Sequence, residues 1–304
     1  MVGISTSCLP GVATNLEEFS VIAQRMGFIS FEIGISSAVI STREILKWHE
    51  NTKANIVSVH NLFVDEPLQP ENARGDFLAS LNEDNRIRTV EYTLKTAGLA
   101  KQLGAKAVVL HGGYIDNPQL KDGYKELKEK FYHNIDNAPA KELNELRQKL
   151  IKIRTKLASA YVENLIKSLR SLCKVEKEIF FCLEPRVHFY EIPNFEEMKE
   201  IFNRVHAKNL GYWHDIGHCQ IQETLGFSRQ EDWLQIFGQH MVGIHFHDVK
   251  KLRDHLPLGM GNIDYSFLSK YLTDDVVRVL EVNNQVTEEE LSASMKYLRR
   301  LHLL

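Results

Sequence analysis

Short apolar runs alternate along the chain with longer segments in which apolar residues recur at helical spacing. Each of the eight runs has a length that suits one buried strand. They are VGISTS from Val2, FISFEIG from Phe28, ANIVSVH from Ala54, AKAVVLHGG from Ala105, IFFCLEP from Ile179, NLGYWHD from Asn209, MVGIHFHD from Met241 and VVRVLEV from Val276. This alternation is typical of a parallel sheet whose strands are joined by crossover helices.

The segment after the first predicted strand illustrates the helical pattern. Its apolar residues recur at spacings of three and four, and Gly27 suits the end of the helix. They are Leu16, Phe19, Ile22, Ala23 and Met26. Eight strand–helix units in 304 residues predict a single α/β domain, a (β/α)8 TIM barrel, because this fold typically takes about 250 residues.

The extra length is concentrated between the fourth and fifth predicted strands. Residues 116–177 form a charged, helix-favouring segment that is interrupted near residues 134–139. This segment is longer than an ordinary crossover. We interpret it as an extended helical insertion, a hairpin or lid beside the barrel mouth, within one domain of residues 1–304. Its second half has the amphipathic pattern of a helix that packs on a barrel.

Composition and charge exclude several classes of protein. The formal net charge is −3, without the basic excess that binding to a polyanion requires, so nucleic acid is not an expected partner. The chain has no apolar run of the roughly 20 residues that span a bilayer, and its N-terminal residues do not resemble an export signal. Four cysteines without a CxxC pair suit a reducing compartment. We therefore expect a cytoplasmic protein without membrane contact.

Candidate ligands lie where the active site of such a barrel is found, at the C-terminal ends of the strands. Six consecutive predicted strands end at His60, His111, Glu184, Asp215, His247 and Glu281. A buried polar side chain is costly without a partner, and a shared divalent cation would satisfy all six. Because side chains two apart share a face, His245 is expected to point inward together with His247.

Each of these residues also fits a structural role when it is taken alone. His60 and His111 fit hydrogen-bonded core histidines, Glu184 fits an ion pair with Arg186, and Glu281 fits a solvated carboxylate. The repetition over six strands favours the metal centre. Carboxylate and imidazole ligands suit Mn²⁺, Co²⁺, Zn²⁺ or Fe²⁺ rather than Ca²⁺, and no organic cofactor is expected.

Further polar residues are expected above the same rim. His218 follows the sixth predicted strand, and Arg253, Asp254 and His255 lie on a later loop. Glu32, in the second predicted strand, fits a contact to substrate or to a ligand, and equally a structural ion pair.

These motifs resemble, in their order and spacing, the xylose isomerase-like TIM barrels. That superfamily includes sugar isomerases and epimerases and the family 2 AP endonucleases. The resemblance runs from the first strand to the last helix. It implies, for both branches, a metal ion held by residues at four positions. They are Glu184, Asp215, His247 and Glu281, in the strings CLEPR, HDIGH, GIHFHDVK and VLEVN.

The two branches imply different chemistry. In the ketose epimerases, residues matching Glu184 and Glu281 exchange protons on opposite faces of a ketose. His218 and Arg253 stand where those enzymes contact substrate, and His245 and Glu32 are our further candidates for substrate contact. In the endonucleases, His60 and His111 would join Glu184 at a second metal ion, and His218 and His255 would help to bind a third. Arg253 stands where that branch has an aspartate ligand, and this departure weakens the third site.

From the sequence we favour a metal-dependent isomerase or epimerase that acts on a small sugar or sugar phosphate. Glu184 and Glu281 would be its catalytic base and acid. The alternative is a multinuclear phosphoester hydrolase, and a non-catalytic metal- or sugar-binding barrel is a third reading. The substrate, the number of metal ions, the role of residues 116–177 and the formation of a homodimer stay open.

Overall fold

The computed structural model describes residues 2–35, 40–61, 77–133 and 140–304. Within these ranges, eight parallel strands form a closed barrel in the order β1-β8-β7-β6-β5-β4-β3-β2. The strands are β1 (Val2–Ser5), β2 (Ser30–Ile33), β3 (Asn55–His60), β4 (Ala107–Leu110), β5 (Phe180–Leu183), β6 (Leu210–Asp215), β7 (Met241–Phe246) and β8 (Val277–Leu280). The predicted TIM barrel is confirmed.

Helices surround the barrel in the intervals between strands. They are α1 (Leu9–Val12), α2 (Leu16–Met26), α3 (Thr42–Thr52), α4 (Glu83–Gln102), α5 (Pro118–His133), α6 (Ala140–Val175), α7 (Phe195–Val205), α8 (Ile216–Thr224), α9 (Gln230–Phe237) and α10 (Glu288–Arg300). Helix α2 ends as predicted, with Gly27 in the left-handed region at φ 96°. Within the described ranges, we find no helix with the length and apolar character needed to cross a membrane.

Helices α5 and α6 lie in the segment 116–177 and pack against each other. Helix α6 also contacts α4 and α7, so it covers the barrel like an ordinary crossover helix. The predicted interruption at residues 134–139 lies outside the described residues. Two short antiparallel pairs flank the mouth. One joins Gly113–Tyr114 to Glu191–Ile192, and the other joins Asp248–Lys250 to Arg253–Leu256.

A small apolar cluster fills the barrel interior, separate from the larger core between strands and helices. Its buried members are Ala107, Val109, Cys182, Trp213 and Val279. Side chains two apart on a strand share a face. Cys182, Trp213 and Val279 therefore point to the same side as Glu184, Asp215 and Glu281, two positions further along. The apolar cluster thus closes the barrel directly beneath the candidate ligands.

All four cysteines are buried, and none forms a disulfide. Burial raises the pKa of the Cys8 and Cys173 thiols to about 12, because the thiolate loses its hydration. These side chains serve as core residues rather than as nucleophiles.

Gly243 in β7 leaves space for the Trp213 ring inside the barrel. A Cβ at this position would overlap that fully buried ring. We expect Gly243→Ala to lower the free energy of unfolding by about 1–3 kcal/mol, the usual cost of overpacking. Urea denaturation measures the change.

Gly98 in α4 offers the matched control, since a Cβ there meets no atom within 4 Å. Gly98→Ala should leave stability unchanged or raise it by up to about 1 kcal/mol, because alanine favours the helix. Equal stability of Gly243→Ala and the native protein would show that the interior accommodates the extra methyl group.

Candidate metal centre

Four neighbouring strands bring ligand side chains to one point at the C-terminal end of the barrel. Glu184 follows β5, Asp215 ends β6, His245 lies in β7 and Glu281 follows β8. Each offers one ligand atom, these atoms all lie within 4.8 Å of one another, and all four residues are buried. The structure therefore gathers three carboxylates and one imidazole in a group of the size that one cation requires.

His245 stands at the centre of this group. Its Nδ1 lies 2.8 Å from Glu184 Oε1, 3.0 Å from Glu281 Oε2 and 3.6 Å from Asp215 Oδ2. Burial lowers the pKa of His245, but the negative charges of Glu281 and of Glu32 raise it well above its usual value. The imidazole thus lies in a strongly negative environment.

Glu32 approaches His245 from the opposite side. Its Oε2 lies 3.0 Å from His245 Nε2 and accepts a hydrogen bond of 2.8 Å from Ser58 Oγ. This contact fixes the ring so that Nδ1 faces the other three carboxylates. A carboxylate behind a ligating histidine is a common feature of metal sites, where it orients the ring and raises its basicity.

The hydrogen bonds and the charge of Asp215 indicate whether the group fits a cation. Its Oδ1 accepts the backbone N–H of His218 at 2.7 Å and lies 2.8 Å from His247 Nε2. Its Oδ2 is buried and accepts no hydrogen bond within the described part of the chain. Burial raises the pKa of Asp215, yet His218 and His247 hold it well below its usual range. An ionised, buried oxygen without a donor is a suitable cation ligand.

Glu184 and Glu281 are also ionised. Burial would raise the pKa of both carboxyls, but it is outweighed in each case. The neighbouring His111 and His245 lower the pKa of Glu184 well below its usual value. The charge of His245 lowers the pKa of Glu281 in the same direction. At neutral pH both side chains are therefore carboxylates, the form that can hold a cation.

The observed group differs from the predicted one at a single residue. His247 points inward as expected, but it belongs to a second group with Asp215, His218 and His255. Its Nδ1 accepts the backbone N–H of His255 at 2.7 Å, and the two rings stack at 4.2 Å. The reason is the register, which places Asp215 beside His245. His247 is two positions nearer the mouth, so His245 replaces it among the four.

His60 and His111 form a third group with Glu184, as the resemblance implied. Their rings are 5.0 Å apart, and His111 Nε2 lies 3.1 Å from Glu184 Oε2. Burial, followed by the neighbouring His111, lowers the pKa of His60 to about 4. His60 is therefore neutral at physiological pH.

Arg186 also belongs to this third group. The sequence predicted Arg186 only as an ion-pair partner of Glu184. Its Nη1 lies 2.7 Å from Glu184 Oε2 and 2.8 Å from His111 Nε2. Its Nη2 lies 3.3 Å from Glu191 Oε1. Glu191 itself was missed, because nothing in the spacing relates it to the strand ends.

Arg253, a predicted substrate contact, lies away from the ligand groups. Arg253 is exposed on the short strand Arg253–Leu256 and does not line the mouth cavity. Its neighbour Asp254 turns inward, with Oδ2 3.8 Å from His218 Nε2 and Oδ1 3.5 Å from His255 Nδ1. The acidic residue beside these histidines is thus Asp254, one position after the one the resemblance indicated.

A cavity of about 250 Å³ opens above the ligands. The polar residues that line it include His60, His111, Glu184, Arg186, His218 and Glu281. His218 Nδ1 lies 3.0 Å from the Pro185 carbonyl oxygen, which only accepts, so this nitrogen carries the proton. Glu32 and His245 were also candidates for substrate contact. Both are fully buried, His245 within the group of four and Glu32 behind it, and neither lines the cavity.

Comparison with known proteins identifies the family. Residues 21–301 match the family model of the xylose isomerase-like TIM barrel. The chain belongs to this family. The resemblance inferred from the sequence motifs is confirmed.

Solved structures of this barrel come from both branches. A D-tagatose 3-epimerase-like protein has a TM-score of 0.67 and 20% identity, over 99% of this chain and 96% of that chain. A family 2 AP endonuclease from Brucella melitensis has a TM-score of 0.66 and 14% identity, over 98% of each chain. At these identities the likeness shows the fold alone.

A sequence relative has no assigned function. The uncharacterized protein MJ1311 of Methanocaldococcus jannaschii is 26% identical over 197 residues, or 62% of this chain. The match spans about half of that protein, 53% of its length. This relative therefore does not help to choose between the branches.

The contact between Glu32 and His245 predicts an effect on metal affinity. We expect Glu32→Gln to weaken binding of Mn²⁺ or Zn²⁺ by about 10–100-fold, the usual loss when such an outer carboxylate is removed. Glutamine can accept the hydrogen bond, but it has no charge to increase the basicity of His245. Calorimetric titration of the metal-stripped barrel measures the affinity.

Glu50→Gln, at an exposed position of α3, is the control and should bind the metal like the native protein. If Glu32→Gln also bound with native affinity, the outer-carboxylate role of Glu32 would be contradicted.

Proposed function

We propose that this xylose isomerase-like barrel is a divalent-metal-dependent isomerase or epimerase of a small sugar or sugar phosphate. The observation that carries the proposal is the position of Glu184 and Glu281. These two carboxylates reach the same cavity from β5 and β8, which lie three places apart in the ring of strands. A substrate held between them would meet one carboxylate on each side.

The chemistry needs a carbon acid and two groups that exchange protons with it. A cation held by Glu184, Asp215, His245 and Glu281, such as Mn²⁺, Co²⁺, Zn²⁺ or Fe²⁺, would polarise the substrate carbonyl and so make the adjacent C–H acidic. One glutamate removes that proton, and the other returns a proton to the opposite face. Both carboxylates are ionised before substrate binds, so the one that acts as the base is already in the required form, and the one that acts as the acid must first take up a proton from solvent.

The cavity suits a small, oxygen-rich substrate. Its volume of about 250 Å³ lies below the roughly 300–1,000 Å³ of pockets for drug-sized ligands. His60, His111 and His218 provide ring nitrogens, and Arg186 provides N–H donors, for hydroxyl, carbonyl or phosphate oxygens. The net charge of −3 argues against a long polyanion such as DNA.

A phosphoester hydrolase is the second candidate, and specific groups favour it. His60, His111 and Glu184 form one further set of ligand atoms, and Asp215, His218, His247 and His255 form another. Asp254 lies beside the second set. A multinuclear centre could generate hydroxide and bind phosphoryl oxygens.

Hydrogen exchange at carbon tests the proposed function. The metal-loaded protein is incubated in D₂O with a panel of ketopentoses, ketohexoses and their phosphates, and deuterium incorporation is followed by NMR. We expect Glu184→Gln and Glu281→Gln each to slow the exchange by about 10²–10⁴-fold, the range for loss of a general acid or base. Metal content is measured in parallel, because both residues also belong to the candidate ligand set.

Glu50→Gln again serves as the control and should exchange at the native rate. If Glu184→Gln or Glu281→Gln binds metal and still exchanges at the native rate, the substituted glutamate does not transfer the proton. Phosphate release from phosphoesters, without exchange in any ketose, would instead select the hydrolase.

A further inference from the structure

A guanidinium lies where the group formed by His60, His111 and Glu184 would hold its own cation. Arg186 Nη1 is 2.7 Å from Glu184 Oε2 and 2.8 Å from His111 Nε2, and these two atoms are 3.1 Å apart. We propose that Arg186 permanently takes the place of that cation, so that this group binds no metal ion. The proposal rests on the metal-dependent function proposed above and limits where the metal can bind.

Competition for the same lone pairs is the physical reason. A cation in this group would lie about 2.0–2.2 Å from His111 Nε2 and Glu184 Oε2. Those are the atoms that Arg186 Nη1 contacts at hydrogen-bond distance. A guanidinium keeps its positive charge at any physiological pH, so it would also repel an incoming divalent cation.

Glu191 holds the Arg186 side chain in this position. Its Nη2 lies 3.3 Å from Glu191 Oε1, while Glu191 Oε2 accepts the backbone N–H of His188 at 2.7 Å. The side chain of Arg186 is only 10% exposed. The contact with Glu184 is therefore part of a buried arrangement and not that of a freely moving surface side chain.

Helix α6 supports the same loop through a second arginine. Arg154 Nη2 donates to the Glu191 carbonyl oxygen at 2.8 Å, and Arg154 Nη1 donates to the Phe189 carbonyl oxygen. Arg154 is itself buried and paired with Glu197 Oε2 at 2.6 Å. These contacts fix the backbone from which Glu191 reaches Arg186.

The backbone of Arg186 is fixed as well. Gln222 Nε2 donates to the Arg186 carbonyl oxygen at 3.0 Å and to the Val187 carbonyl oxygen at 3.1 Å. Both the backbone and the guanidinium of Arg186 are thus held by hydrogen bonds, so the guanidinium has a fixed position at the mouth. His60 and His111 are then left to contact substrate rather than metal.

Metal counting tests the inference. The native protein, Arg186→Met, His111→Asn and the double variant are each equilibrated with excess Mn²⁺ or Zn²⁺, dialysed, and measured by elemental analysis. We expect Arg186→Met to bind one more ion per chain than the native protein. The double variant should lose that additional ion, and His111→Asn alone should keep the native count.

Arg186→Lys is the matched control, because it keeps a positive charge and should keep the native count. The inference is overturned if His111→Asn alone loses an ion, since the group would then hold metal while Arg186 is present. It is also overturned if Arg186→Met binds no additional ion. The His111→Asn comparison does not depend on the folding of the Arg186 variants.

The failure of this inference can be distinguished from failure of the proposed function. If the native protein catalyses exchange in a ketose but the His111→Asn variant binds one ion fewer than the native protein, only the inference about Arg186 is overturned. The expected ion counts without exchange of any ketose would overturn the proposed function and leave the role of Arg186 intact.

Discussion

Repulsion among buried carboxylates is the constraint on which the mouth of this barrel depends. Glu184, Asp215 and Glu281 converge on His245, and Glu32 adds a fourth negative charge behind it. Buried charge is stable only when it is paired. Beneath the carboxylates an apolar cluster closes the barrel, so only groups beside or above them can compensate their charge. This explains why histidines and Arg186 line the mouth, and why a divalent cation is the fitting partner.

Periodicity in the sequence was sufficient to predict the barrel, and it placed most of the candidate ligands at one rim. The strand ends placed Glu184, Asp215 and Glu281 at one rim, and the two-residue period correctly turned both His245 and His247 inward. It could not decide which histidine joins the carboxylates. That choice depends on the register between β6 and β7, which pairs Asp215 with His245. Register is set by packing between strands that lie far apart in sequence, and a single sequence does not display it.

Other features escaped prediction for local or long-range reasons. Asp254 rather than Arg253 lies beside His218 and His255, in a short antiparallel pair that is irregular between Asp248 and Lys250 and in which His255 adopts φ 52°. Spacing alone cannot show such a turn of the backbone. The link from Arg154 through Glu191 to Arg186 joins helix α6 to a loop more than thirty residues away. In the sequence, Arg154 is one of many charges in the segment 116–177.

Whether a metal ion or the Arg186 guanidinium lies beside Glu184 affects the choice between proton transfer and hydrolysis. A metal ion at that point lowers the pKa of bound water and so provides a nucleophile. A guanidinium does not coordinate water, and it can only donate hydrogen bonds. With Arg186 there, this part of the mouth can bind and polarise substrate oxygens, but it lacks the means to make hydroxide. Under the proposal that Arg186 excludes a cation from this point, a hydrolytic centre would have to use the other groups of ligand atoms, such as Asp215, His218, His247 and His255.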